Sequence, residues 1–415
     1  MTTAPSLWRH RDFLRLWAAQ AGSAVGARIS RTVLPMLALL TLDASASEVS
    51  ALAALSVAPG LVVGLWAGRI VDARARRPLM IGADLARAAL ILTVPVAAHL
   101  GALAMPQIYL VAAAVGAASA LFSIAEMAYV PALVGPARIV DANARLEATD
   151  SVAEGVGPWL GGVLVQIVGG PLALAVDAAS YLWSAALLGR IAMPEARPVP
   201  TSAARTHPLA DLATGLKVCR DHPPLMRLLA VEAVTTLAGG VLFALYTVVA
   251  LGTLGLSPAV LGLLIGAGGI GSLAGALMVG PLLRSVREDT ALRLTLAAGL
   301  VLNLTVPMAL LLPGLALPLL ALGQVAGDAF LTAFGILALS LRQRVVADAV
   351  MGRVAATFRV TSDGCLLAGA ALAGLLTLFL PLAAVIWAGT LAGLTAIAVL
   401  GRGGMSALDS PPEVP

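Results

Sequence analysis

Apolar residues run along this chain in long blocks, broken by short segments that carry charge, proline and glycine. A helix that crosses the hydrocarbon core of a bilayer needs about 20 mostly apolar residues. Twelve blocks reach that size: 14–41, 49–71, 79–100, 105–130, 141–168, 171–193, 223–252, 258–283, 289–311, 315–341, 350–379 and 382–401. Each predicts a membrane-spanning helix. One long polar interruption, 194–222, follows the sixth block and divides the twelve into two sets of six, within 1–193 and 223–415. Its first part, Pro194 to Pro208, has the composition of a flexible linker. In its second part Leu209, Leu212 and Leu216 recur at helical spacing, which predicts either a short helix lying on the cytoplasmic face or an ordinary solvated loop.

The residues between the blocks give an orientation, because short cytoplasmic loops are enriched in Lys and Arg. Of the 26 such residues, only Arg28, Arg31, Arg87 and Arg359 fall well inside predicted spans; with both termini inside, the others occupy cytoplasmic segments or the cytoplasmic ends of spans, and the outward loops hold none. This one-sidedness supports an even number of spans as well as the orientation. Arg9, Arg11 and Asp12 precede the first block and no small-residue cleavage site follows it, so that block reads as a retained helix and not a signal peptide.

Composition excludes several classes of protein. Residues from the set AVILMFWYC make up 60% of the chain and charged residues 12%, against about 45–50% apolar and about 25% charged in soluble domains. A soluble multidomain enzyme could not cover its surface with so few charges. Cys219 and Cys365 are too far apart for a CxxC motif, no histidine is followed by glutamate as in HExxH, and no GxSxG elbow occurs. The single lysine, Lys217, has no preceding glycine, so a Walker A loop is absent. No metal, no cofactor and no enzymatic activity are expected. The net charge of +4 comes from arginines spread between apolar runs, which is a topology signal and not a nucleic-acid surface. The sequence Gly266-Ala-Gly268-Gly269-Ile-Gly271 satisfies GxGxxG, but it lies inside an apolar span with no strand before it, so it predicts helix packing.

The two halves also resemble each other. GRIVDARAR, beginning at Gly68 after the second span, aligns with GPLLRSVR, beginning at Gly280 after the eighth. Such a repeat fits transporters whose halves are related by an axis along the membrane normal. The segment Gly64-Leu-Trp-Ala-Gly68-Arg-Ile-Val-Asp72-Ala-Arg-Ala-Arg76-Arg77 resembles the GxLaDrxGrr signature of the major facilitator superfamily, with Ala73 and Ala75 departing from it. Gly157-Pro158-Trp-Leu-Gly161-Gly162 is similar to the GPxxGG element of exporters in that superfamily. Three further stretches resemble its twelve-span drug and siderophore exporters, the DHA3 group. They are Phe13-Leu-Arg15-Leu-Trp17-Ala-Ala-Gln20 leading to Pro35, Asp177-Ala-Ala-Ser180-Tyr181, and Arg342-Gln343-Arg344 through Gly352-Arg353-Val354.

The resemblance implies an all-α membrane protein with two six-helix bundles that alternate access to the two sides. It implies a cytoplasmic gate at Gly64, Gly68, Asp72, Arg76 and Arg77, with Arg87 grouped among them, in which the Asp72 carboxylate latches onto a helix N-terminus or an arginine. Gly157, Pro158, Gly161 and Gly162 would permit close helix contact and a bend.

An ionisable residue at membrane depth costs at least about 2.5–3.5 kcal/mol on insertion scales, so each is a candidate for function. The first half carries Arg28 and Arg31 on span one, Glu126 on span four, and Asp150 and Glu154 on span five; the second carries Glu232, Asp328, Arg359 and Asp363. The resemblance places spans one, four, seven and ten along the substrate path. Rearranging Arg–carboxylate pairs there would let the site take and release a proton. Two structural alternatives stand beside this: Arg359 and Asp363 neutralise each other, and Asp150 or Glu154 pairs with Arg28 or Arg31 to join spans one and five. Tyr129, Phe243, Tyr246, Phe330 and Phe334 are either stacking surfaces for substrate or packing. The expected function is proton-coupled efflux of a small amphipathic, drug-like or siderophore-like compound by a monomer in the inner membrane. The alternative is an uptake symporter or uniporter on the same fold. Partners expected are the compound, protons and lipid, with no nucleic acid.

Overall fold

The computed structural model describes residues 7–195 and 208–401; the side chains of residues 65–70, 72, 73, 137, 208, 209, 348 and 349 lie outside that description. Among the described residues twelve helices are long and apolar enough to cross a membrane. They are α1 (Arg11–Thr41), α2 (Ala46–Ala73), α3 (Arg76–His99), α4 (Met105–Val134), α5 (Ile139–Val168), α6 (Gly170–Gly189), α8 (Pro223–Thr253), α9 (Pro258–Ser285), α10 (Glu288–Leu311), α11 (Pro313–Val345), α12 (Asp348–Leu376) and α13 (Leu382–Gly401). The remaining helix, α7 (Pro208–Asp221), precedes α8. No strand occurs among the described residues. Leu110, Ile167 and Leu277 are each about two-thirds exposed or more, and side chains of this kind on the outer surface need lipid as their solvent.

Local chemistry sets the helix ends. Ser45 and Glu48 form a reciprocal capping box at the start of α2. Gly135 and Gly169 turn the chain between α4, α5 and α6 at φ of 75° and 83°, a conformation that L side chains avoid. Prolines 35, 59, 95, 131, 158 and 281 lie inside helices. In lipid the backbone groups they free are satisfied by local adjustment.

The chain forms two compact units, residues 1–203 with 256–266, and 204–255 with 267–415. In the first, α1 packs on α5 and α6, α2 on α4, and α3 on α4 and α6. In the second, α8 packs on α12 and α13, and α10 on α11 and α13, while Gly271 and Gly275 of α9 face the Val325 and Ala329 carbonyls of α11. The same pairings therefore recur in each half, with α8 in the place of α1.

The leucine spacing at 209, 212 and 216 does form a helix. α7 is docked and not merely solvated: Asp211 pairs with Arg353 of α12 at 3.0 Å, Thr357 donates to the Leu212 carbonyl at 3.4 Å, and Cys219 is fully buried in the apolar core with Leu225, Leu228 and Phe358. Gly215 sits where any side chain would strike the Arg353 carbonyl and Thr357.

Candidate functional site

In the first unit α1 makes polar contacts with both α4 and α5. Arg28 of α1 pairs with Glu154 of α5 at 2.5 Å. That contact depends on Gly157, because a Cβ there would collide with the Arg28 side chain and lie 3.2 Å from the Val25 carbonyl. Gly161, one turn on, would meet the Ile29 backbone at 3.4 Å. Two glycines of the GPxxGG element thus let α5 lie close against α1, and a third, Gly162, faces the Pro258 carbonyl within the same unit. Of the pairings the sequence left open, Glu154 with Arg28 is the one that forms.

Arg31 and Asp150 make no ion pair among the described residues; the Arg31 charge acts on Asp150 and Glu154 from beyond contact. Glu126 of α4 accepts from Gln20 Nε2 of α1 at 3.1 Å, and its other oxygen, Oε1, is buried with no hydrogen-bond partner. Gln20 Oε1 is likewise buried and unpartnered. Two acceptor oxygens on neighbouring helices therefore lack a donor, and a proton or a donor-bearing ligand would supply one.

In the second unit Asp328 accepts from Gln324 Nε2 at 2.8 Å and forms no ion pair among the described residues. A π-turn, Gly323–Gly327, directly precedes it. Such turns often mark functional positions, because they re-aim one side chain against the helical register. Gly268 of α9 leaves the space that the Asp328 carboxylate fills. The Tyr246 hydroxyl of α8 is buried without a partner, and Phe243, one turn earlier, is 41% exposed. Glu232 lies within reach of the Arg342 charge without contacting it, while Arg342 stacks over Phe358 at 4.3 Å. Arg359 and Asp363 form an i,i+4 pair at 2.6 Å with Arg359 79% exposed, so the two neutralise each other on one helix face.

Several expected roles change. Tyr129 and Phe334 are not lining residues: they are 3% and 7% exposed, each inside its unit's apolar core. Phe330 is partly buried. Arg87 is not at a gate but deep in the first unit, paired with Asp84 and held between the rings of Phe122 and Tyr181 at 4.5 and 4.2 Å. Arg77 donates to the Leu188 and Gly189 carbonyls at 2.8 and 2.5 Å, so it caps the end of α6. The Glu195 carboxylate accepts from the amides of Arg76 and Arg77 at 2.6 and 3.0 Å, capping α3. Gly64 has open space around it, while the surroundings of Gly68 and the Asp72 side chain lie outside the described residues.

Three acids, Asp12, Asp84 and Asp177, received no site role from the sequence. Asp12 accepts from the Ala192 and Met193 amides, tying the start of α1 to the end of the first unit's last span. Asp84 and Arg87 stand three apart, a spacing that marks a same-face pair. Asp177 is an acid inside an apolar run, visible as such in the sequence.

The sequence profile described as the Major Facilitator Superfamily matches residues 16–364. The chain belongs to the major facilitator superfamily. A relative, an uncharacterized MFS-type transporter named y4rN from Sinorhizobium fredii (strain NBRC 101917 / NGR234), is 27% identical over 347 residues, covering 83% of this chain and 84% of its own. Among solved structures, a bacterial homologue of the iron transporter ferroportin in an inward-facing state superimposes with a TM-score of 0.78 at 17% identity, covering 96% of this chain and 99% of that one. The nucleoside transporter NupG gives 0.74 at 11% identity over 96% and 98% of the two chains. At these identities the two structures show the fold: this superfamily member is a multi-pass membrane protein of the major facilitator architecture.

Proposed function

We propose that this superfamily member is a proton-coupled exporter of small amphipathic compounds, of the drug and siderophore exporter group, acting as a monomer in the inner membrane with both termini cytoplasmic. The observation that carries the reading is Glu126. One of its oxygens is held by Gln20 and the other is buried with no donor, so the site is incomplete until a proton or a donor-bearing compound arrives. A carboxyl that can satisfy itself with either one exchanges one for the other, and that competition is antiport in its simplest chemical form. Asp328 supports the same reading in the second unit, held by the Gln324 amide with no ion pair among the described residues. Substrate and protons, with lipid as solvent, are the only partners the reading needs.

Export is favoured over uptake by the close α1–α5 contact built on Gly157 and Gly161, which resembles the exporter element. The test uses inside-out membrane vesicles with an acidified lumen and a panel of labelled drugs, siderophores and metabolites. Accumulation of a compound inside, abolished by a protonophore, is the expected result. Accumulation only in right-side-out vesicles, driven by external acid, would replace export with symport.

A further inference from the structure

Asp177 of α6 is fully buried in the first unit, facing α1. Gly26 of α1 makes the approach possible, because a side chain there would overlap the Asp177 carboxylate and Ser180. Around the carboxyl stand two hydroxyls. Ser30 of α1 contacts Oδ2, and Ser180, one turn along α6, lies 3.2 Å from Oδ1.

The hydroxyl protons decide what the carboxyl must be. A serine hydroxyl has one proton to donate and two lone pairs to accept with. Ser180 lies 2.7 Å from the Asp177 main-chain carbonyl, the shorter of its two contacts. Its single proton therefore faces two acceptors, the main-chain carbonyl and Oδ1. An ionised Asp177 leaves Ser180 to share that one proton, whereas a protonated Oδ1 supplies a second hydrogen. A neutral Asp177 satisfies every group: Oδ1–H donates to Ser180, and Oδ2 accepts from Ser30.

The surrounding charges agree. α3 supplies Asp84 and Arg87, and these pair with each other, the guanidinium being further held between Phe122 and Tyr181. α1 supplies Arg28, which pairs with Glu154, and Arg31, whose charge acts on Glu154, Asp150 and Tyr181 without an ion pair among the described residues. On α6 itself the neighbouring titratable group is Tyr181. Asp84, Arg87 and Asp177 together hold one cation for two carboxyls, all three at 5% exposure or less. An ionised Asp177 would be an uncompensated buried charge, which proteins avoid by neutralisation.

We infer that Asp177 is a proton-binding site in the seam between α1 and α6, separate from Glu126, whose ligand is H⁺ and whose occupancy holds the seam closed. Loss of the proton would place an anion against Ser30 on the helix that also carries Arg28 and Arg31. Proton binding here is thereby linked to the packing of α1. The inference stands on the first unit's geometry and does not require the export reading.

Infrared difference spectroscopy of the purified full chain in detergent tests it, with titration across the neutral and alkaline range and exchange into deuterium oxide. Wild type should show a carboxylic-acid carbonyl band at neutral pH that shifts on deuteration and is lost in Asp177→Asn, whose amide keeps one donor and one acceptor for the two serines. In Ser180→Ala the band should persist but move to higher frequency, because its acceptor is gone. The melting temperature of wild type should also fall on alkalinisation by more than that of Asp177→Asn. A folded Asp177→Asn protein that loses no such band relative to wild type would overturn the inference, as would equal alkaline sensitivity of the two.

Discussion

Arg28 reaches Glu154 at 2.5 Å across a gap that exists because Gly157, three residues further along α5, has no side chain. The ion pair and the exporter-like glycine element are therefore one feature: the glycine sets the distance between α1 and α5, and the distance lets the charges meet. Gly157→Ala should destabilise the detergent-solubilised protein by about 1–3 kcal/mol through overpacking. Gly64→Ala, with no neighbour within 4 Å, should be neutral or stabilise by up to about 1 kcal/mol from helix propensity. Thermal unfolding of the two variants side by side checks this, and equal losses would show that Gly157 is not the contact point.

Arg77 belongs to helix capping in this structure. Replacing it with alanine removes two charge-assisted hydrogen bonds to the end of α6 and should cost about 1.5–3 kcal/mol. Glu195→Gln should weaken the α3 cap in the same assay by less, since the amide oxygen still accepts one bond. An Arg77→Ala protein as stable as wild type would return the residue to a gating role.

Docking of α7 can be read from Cys219. The thiol is fully buried, and burial pushes it above the ordinary cysteine range, the nearby Arg342 guanidinium only partly opposing this. Inaccessibility and the suppressed thiolate together slow reaction with maleimides. In a Cys365→Ser background, wild type should label slowly at neutral pH. Gly215→Leu, which forces α7 away from the Arg353 carbonyl, should speed labelling at least tenfold, an effect visible by mass spectrometry. Unchanged labelling would mean that α7 stays docked without the close approach.

Arg359 and Asp363 make the opposite prediction from the one their depth in the sequence suggests. They pair with each other on an exposed face, where such i,i+4 pairs contribute about 0.3–0.5 kcal/mol. The double variant Arg359→Gln/Asp363→Asn should transport within about twofold of wild type. Loss of transport in the double variant would place the pair on the substrate path after all.

The helices and the membrane setting were legible because lipid imposes a length on every span. The α7 helix was legible as a possibility from Leu209, Leu212 and Leu216. What stayed hidden were the directions of side chains. In water a helix shows its buried face by its polar opposite, but in lipid both faces are apolar, so nothing distinguished the packed Tyr129 and Phe334 from the exposed Phe243. Partners were hidden for a related reason. Arg28 had two carboxylates within reach by helical spacing, and only the packing of α5 on Gly157 and Gly161 selects Glu154. The pair Asp84 and Arg87 was readable at i,i+3, whereas the two serines on Asp177 come from different helices and needed the fold.

Exchange of protons for compound at Glu126 is the central claim, and lumenal pH in proteoliposomes tests it most directly. The vesicles hold an outward-directed proton gradient, and drugs, siderophores and metabolites are added one at a time to wild type, Glu126→Gln and Asp328→Asn. At least one compound should trigger proton movement in wild type, and Glu126→Gln should abolish it. If labelled compound crosses down its own gradient with no proton movement in wild type, or if Glu126→Gln moves protons as wild type does, the claim is contradicted.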